Sequence, residues 1–120
     1  MNQEHTMDYE ETIVGIIANS GNAHSCAMEA IGKAKERRFD EADELLSSAR
    51  ESLVEAQKIH GAILSESVSE GGTGTPLLTV HAEDQIMAAF SAIDMAQEFR
   101  RAYELIFSLA DEVEALRMGR

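Results

Sequence analysis

With one proline, one cysteine and no tryptophan in 120 residues, the chain has few devices that break or staple a backbone. The single Cys, Cys26, excludes a disulfide framework, and no second Cys or His stands at zinc-ligand spacing from it. Cys26 therefore reads as a small buried hydrophobe in a reducing compartment. Cations are scarce too: ten Lys plus Arg against twenty-two Asp plus Glu give a net charge of −12. That balance works against nucleic acid or an anionic membrane surface as the main partner, because both attract concentrated Lys and Arg. A basic protein or a cation fits better. No long apolar run is present either: Ile13 to Ala18 is far too short to cross a bilayer, and Met1-Asn2-Gln3-Glu4-His5 lacks the cations of a targeting segment. The expectation is a soluble cytoplasmic protein. What the chain does have is 44% apolar content, enough at this size for one domain with a core, spanning residues 1–120.

The only strong break lies in Ser67 to Thr75, where Gly71, Gly72 and Gly74 precede Pro76. Nearly everything else suits helix. Ala42, Leu45, Leu46, Ala49, Leu53, Ala56, Ile59, Ile63 and Leu64 recur at three- and four-residue steps, with Glu44, Ser48, Glu51, Glu55 and Lys58 opposite. This predicts an amphipathic helix over 40–67, with Asp40 as N-cap. A first helix over 8–38 shows Ile13, Ile16, Ile17, Met28, Ile31 and Ala34 in a similar rhythm. It ends in Lys33, Lys35, Arg37 and Arg38, cations that suit a helix C-terminus and read as an end-cap rather than a docking patch. Asn19-Ser20-Gly21-Asn22 reads locally as a turn, but a helix continuing through it puts small side chains at a close contact that Gly21 permits. A third helix over 76–116 has Thr75 as N-cap and Pro76 in the first helical position. From Ile86 to Ala96, nine of eleven residues are apolar. A helix apolar almost all round must be covered on almost all sides, so it meets other subunits as well. The fold class is all-α, an antiparallel up-down-up three-helix bundle that associates through its third helix.

Four histidines are candidates for chemistry. His5 sits near the terminus without partners in the sequence. His60 lies at the edge of the second helix's stripe and reads as a half-buried structural residue. His24, among small residues, reads as packing. His81 differs because Asp84 is three residues on, adjacent on a helix, with Cβ atoms about 5–6 Å apart. A carboxylate there orients the ring or stabilises imidazolium. Asp84 also lines up with Val80, Met87, Ala88, Ser91 and Met95, a mainly apolar stripe. An Asp facing a buried seam needs a partner, and no Lys or Arg is near on that face. Copies of Asp84 meeting on a symmetry axis would share protons or bind a hard cation such as Mg²⁺. The alternative is an Asp84 that is merely wet at the helix start. No Walker-type phosphate loop and no His-x-x-x-His pair are present, and the six Met read as flexible core filler.

Several segments occur together in one family's order and spacing: Ile16-Ile17-Ala18-Asn19-Ser20-Gly21-Asn22-Ala23, Ala27-Met28-Glu29-Ala30, Phe39-Asp40-Glu41-Ala42, and Val80-His81-Ala82-Glu83-Asp84-Gln85-Ile86-Met87. They resemble the lactose/cellobiose-type enzyme IIA component of the bacterial phosphoenolpyruvate-dependent sugar phosphotransferase system, from about Thr12 to Phe107. The resemblance implies a homotrimer of three-helix subunits. It also implies that His81 accepts a phosphoryl group from the histidine-containing phosphocarrier protein and donates it to a cysteine of a IIB component, for uptake of a lactose/cellobiose/chitobiose-type sugar. Asp84, the matching acid, would face the trimer axis and hold Mg²⁺ or another divalent cation. The sequence departs from the family's usual residues at Glu83 (Gln), Gln85 (His) and His24 (often Arg), and it runs past the family's usual end. Those departures support the alternative of a non-catalytic helical oligomer or regulatory protein built on the same bundle. A histidine phosphotransfer domain of two-component signalling shares length and helicity, but no His here is followed by Lys-Gly.

Overall fold

A computed structural model describes the backbone of residues 2–69 and 77–119 and the side chains of 9–65 and 77–119. Three helices account for almost all of it: α1 (Asn2–Lys35), α2 (Phe39–Ser69) and α3 (Leu77–Arg117). Each buries one seam at alternating three- and four-residue steps, the spacing that keeps a stripe facing a neighbouring helix. On α2 the seam is Ala42, Leu46, Ala49, Leu53 and Ala56; on α3 it is Ala82, Ile86, Ala89, Ile93 and Ala96. The alternation of Ala with a larger aliphatic lets one helix's Leu or Ile fill the space beside its neighbour's Ala. On α1 the seam runs Ile13, Ile16, Ser20, Ala23, Ala27, Ala30 and Ala34, and this helix lies against both others while α2 and α3 meet more sparsely. The molecule is a rod of 76 × 21 × 17 Å.

Two contacts fix the direction of α3 alongside α1. At one end the hydroxyls of Tyr9 and Thr79 hydrogen-bond to each other. At the other, Arg37 donates two hydrogen bonds to Asp111, at 3.1 and 3.0 Å. The first and third helices are therefore parallel and the second antiparallel, which is the up-down-up arrangement.

The helix ends differ from the sequence expectation. α1 begins at Asn2 rather than near residue 8, and it stops at Lys35 rather than 38. The stop is a Schellman turn: Arg37 takes φ 63°, its N–H donates to the Ala34 carbonyl, and the Arg38 N–H reaches back to Lys33. Glycine usually holds that left-handed position; here the Arg37 side chain compensates by pairing with Asp111 and lying 4.4 Å over the Phe107 ring. Asp40 is not the N-cap of α2. The Arg38 carbonyl accepts the first bond, from Ala42, and Asp40 and Glu41 occupy the first turn, where their charge suits the helix dipole. α2 runs two residues past 67 into the segment expected to break. Thr75 and Pro76 lie outside the described residues. At the far end of α3, Gly119 takes φ 77° and closes the helix.

The Asn19–Asn22 stretch is helical throughout, and the turn-forming side chains are absorbed by bonds that suit a helix. Asn19 donates to the Gly15 carbonyl at 2.9 Å, and Asn22 donates across to Ser52 at 2.8 Å. The small residue at the close contact is Ser20, buried with its hydroxyl unpartnered, rather than Gly21, whose Cβ position faces open space. Met28 and Leu64, expected in the stripes, are 53% and 44% exposed. Each sits one residue off a seam position, Met28 beside Ala27, and a step of about 100° per residue turns it outward.

Candidate functional site

His81 stands one turn into α3, on its outer side. The residues around it explain why it points away from the bundle. Thr79 is buried and bonded to Tyr9, and Ala82 is fully buried, so this inner face is fixed against α1. His81, about 100° round from Ala82, is exposed. Asp84 is exposed as well, about 60° round the helix from His81. Neither side chain forms a hydrogen bond or ion pair among the described residues, so Asp84 does not hold the ring in a single chain.

The stripe that Asp84 shares is where the sequence puts it, and it is uncovered. Val80, Met87 and Met95 are 40%, 57% and 56% exposed, on the side of α3 opposite its buried seam. Of the large apolar side chains left exposed, most lie on α3. A patch of that continuity on one helix marks an interaction face, whereas single exposed apolar residues are ordinary. Among the described residues no group of three His, Cys, Asp or Glu comes together as metal ligands, so one chain offers only the Asp84 carboxylate at this position.

Electrostatics separate the two ends of the rod. No Lys or Arg occurs in residues 1–32 or 59–99. The end that carries His81 is therefore acidic, with Glu83 and Asp84 beside the ring. Most cations gather towards the opposite end, where several of the arginines are engaged. Arg38 binds Glu41 and Glu36, Arg37 binds Asp111, and Arg100 binds Asp43 at 2.8 and 3.1 Å as well as Glu104. The hydrogen bonds from Arg37 hold the Asp111 carboxyl below its ordinary range, and those from Arg38 do the same for Glu41. Phe99, Tyr103 and Phe107 stack along this end, Phe39 meets Phe107 edge-on, and Arg100 lies 5.1 Å over Phe39. Of the basic cluster, Lys33 and Lys35 lie in the last turn of α1, and Arg37 and Arg38 follow it and pair with acids.

The other candidates are structural or idle. His60 is half-buried, its Nε2 shielded and without a partner, which fits the structural role expected of it. His24 does not pack: Ala23 and Ala27 take the seam, and His24 is turned out and exposed. The side chain of His5 lies outside those described. Cys26 is only partly buried; burial foremost, then the Glu29 charge, pushes its thiol up. The Tyr9–Thr79 bond that steadies the His81 turn joins residues 70 apart, and no local signal announces it.

Residues 11–104 match the family described as PTS system, Lactose/Cellobiose specific IIA subunit. The chain belongs to this enzyme IIA family of the sugar phosphotransferase system. It is similar to the lichenan-specific phosphotransferase enzyme IIA component of Bacillus subtilis, at 38% identity over 88% of this chain and 93% of that protein. Among solved structures, the cellobiose-specific enzyme IIA of Bacillus anthracis superimposes with a TM-score of 0.77 at 33% identity, over 82% of this chain and 91% of that one. The chitobiose IIA of Escherichia coli, solved in complex with HPr, gives 0.75 at 30% identity over 81% and 94%. The two solved structures share the fold of this chain, and the IIA family carries a general phosphotransferase role. Among the described residues no helix is long and apolar enough to cross a membrane.

Proposed function

We propose that the chain is a phosphocarrier of a lactose/cellobiose/chitobiose-type sugar uptake system, with His81 as the group that carries the phosphoryl. An unprotonated ring nitrogen of His81 attacks the phosphorus held on the donor's phosphohistidine. The new N–P bond forms as the donor's N–P bond breaks, and the donor nitrogen keeps the electron pair. A cysteine thiolate of the IIB component then attacks the same phosphorus, and the pair returns to His81. Phosphoryl transfer of this kind asks for positioning and charge stabilisation more than for covalent chemistry, which a docked partner that excludes water supplies. The single observation that carries the reading is the exposure of His81 on the outer side of α3 while the residues on either side of its turn are locked.

The acidic end around His81 favours a donor with a basic face, chiefly through the rate of association. HPr, the partner named for the chitobiose IIA structure, fills that role in this reading. The uncovered α3 stripe supports a cytoplasmic homotrimer in which three copies of Asp84 approach one axis. Their carboxylates suit Mg²⁺ or another divalent cation, since such ions take oxygen ligands and Mg²⁺ keeps several waters. Bound there, the cation would offset the mutual repulsion of the acids. Glu83, exposed two residues from the ring, favours the second reading, a non-catalytic oligomer on the same bundle.

Incubation with phosphoenolpyruvate, enzyme I and the phosphocarrier separates the two. Label that appears on the wild type and is lost in His81→Ala supports the relay. A folded wild type that never labels overturns it.

A further inference from the structure

Four residues precede His81 in α3. Leu77 is 83% exposed, Leu78 and Val80 are exposed as well, and Thr79 alone is buried, at 2%. Ala82, the next buried residue, offers the bundle only a methyl group. Thr79 shares its hydrogen bond with the hydroxyl of Tyr9 on α1, and Tyr9 is itself packed against the core. Among the described residues, no other side-chain hydrogen bond or ion pair joins residues 77–84 to another helix. First turns of helices fray, because their leading N–H groups have no partner within the helix. His81 shares in that fraying: in an α-helix its N–H pairs with the carbonyl four residues back, at Leu77, so an opened first turn releases the backbone that carries the ring. With three of its four residues exposed, the turn draws little stability from packing, and the hydroxyl pair holds it.

We infer that Tyr9 and Thr79 are positioning residues for phosphoryl transfer: their hydroxyl pair keeps the first turn of α3 closed and so sets where the His81 ring stands when a donor docks. This role rests on the relay through His81 proposed above. Neither residue meets the phosphoryl group, since Thr79 lies on the inner face, about 160° round the helix from His81. Transfer needs the attacking nitrogen about 3–3.5 Å from phosphorus on an aligned approach, and a misplacement of about 1 Å can cost a hundredfold. A ring on an opened turn is displaced by more than that, so only the closed turn transfers. Docking depends less on this one turn, because the acidic face extends through residues 59–99, which hold no Lys or Arg. With little packing to favour it, the closed turn lies near balance with the open one. Losing the pair shifts it from mostly closed to mostly open, which lowers the rate within the docked complex rather than the affinity for the donor.

Tyr9→Phe is the variant to test, because it removes one hydroxyl 70 residues from its partner and leaves the sequence of α3 untouched. Native-state amide exchange is expected to quicken about twofold or more at Val80 to Asp84 and to stay unchanged at Ile93 and Ala96, as loss of one hydrogen bond at a helix end implies. In rapid-quench transfer from the phosphorylated carrier, the maximal rate should fall about twofold or more at an unchanged half-saturating concentration. Thr79→Val should do the same, the double variant should be no worse than either alone, and Thr79→Ser, which keeps the hydroxyl, should retain the wild-type rate. Unchanged exchange at His81 in Tyr9→Phe overturns the tie. Quickened exchange with an unchanged maximal rate, or losses that add in the double variant, overturns the positioning role. A wild type that never labels removes the relay and the positioning role with it, whereas amide exchange still reads the tie, so the two failures are told apart.

Discussion

Ile16 and Met28 occupy the same apolar rhythm in the sequence, but the structure separates them, and truncating each to alanine measures that separation. Ile16 is fully buried and Met28 is 53% exposed. Ile16→Ala removes three carbons from the seam of α1, about 2.4 kcal/mol at roughly 0.8 kcal/mol per buried group. The space left between α1 and its neighbours is hard to close because Ile13 and Ser20, on either side of it along the seam, are already buried and hold the helices apart, which raises the loss to about 3–4 kcal/mol. Met28→Ala should cost under about 1 kcal/mol, since half its surface already meets water. Against a total of order 5–15 kcal/mol for a domain, the first loss is severe and the second minor. Urea unfolding followed by circular dichroism reads both, with unchanged slopes. Protein concentration must be held fixed, because assembly adds to apparent stability. A Met28→Ala loss equal to that of Ile16→Ala would refute the reasoning. It would mean that the outer face of α1 is covered in solution and that α3 is not the associating helix.

Acid should weaken the end of the rod opposite His81. Asp111 and Glu41 are held below their ordinary values by Arg37 and Arg38, so their contribution is complete above the ordinary carboxylate range and disappears as pH falls through the depressed values. Asp111→Asn should therefore flatten the fall in stability below about pH 4, and an unchanged acid limb would contradict the pairing. The raised Cys26 thiol should react with a thiol reagent near pH ~8 more slowly in the native chain than in denaturant; equal rates would show it open. Adding Mg²⁺ should raise the melting temperature of the wild type but not of Asp84→Asn, and identical shifts in both would remove the carboxylate from any cation site.

The helices and their order were legible because apolar spacing records which side is covered, but the inner face of α3 was not, because Ile86 to Ala96 is apolar almost all round. The Ala42–Ala56 seam and the exposed Asp84 stripe follow from the same spacing. The tight alanine seam of α1 was not, because Ala23, Ala27 and Ala30 carry little apolar weight, and Met28 beside them draws the eye to the wrong side. Helix boundaries were missed where side chains outside the local window decide them. Arg37 holds a left-handed turn with help from Phe107 and Asp111, more than sixty residues away. The turn signal at Asn19–Asn22 misleads for a similar reason: Asn22 finds its partner on another helix, at Ser52. His81 was singled out by its neighbour Asp84 and by the motif around it. Its setting was hidden, because the Tyr9–Thr79 bond and the separation of charge between the two ends exist only after folding.

Mapping the phosphorylated residue decides the central claim most directly. The chain would be charged by phosphoenolpyruvate, enzyme I and the phosphocarrier, digested at alkaline pH where a phosphorylated imidazole survives, and sequenced by mass spectrometry. The account predicts phosphate on His81, removed when a IIB component is added. Phosphate on His24 or His60, or an unmodified His81 after full exposure to the charged donor, would contradict it.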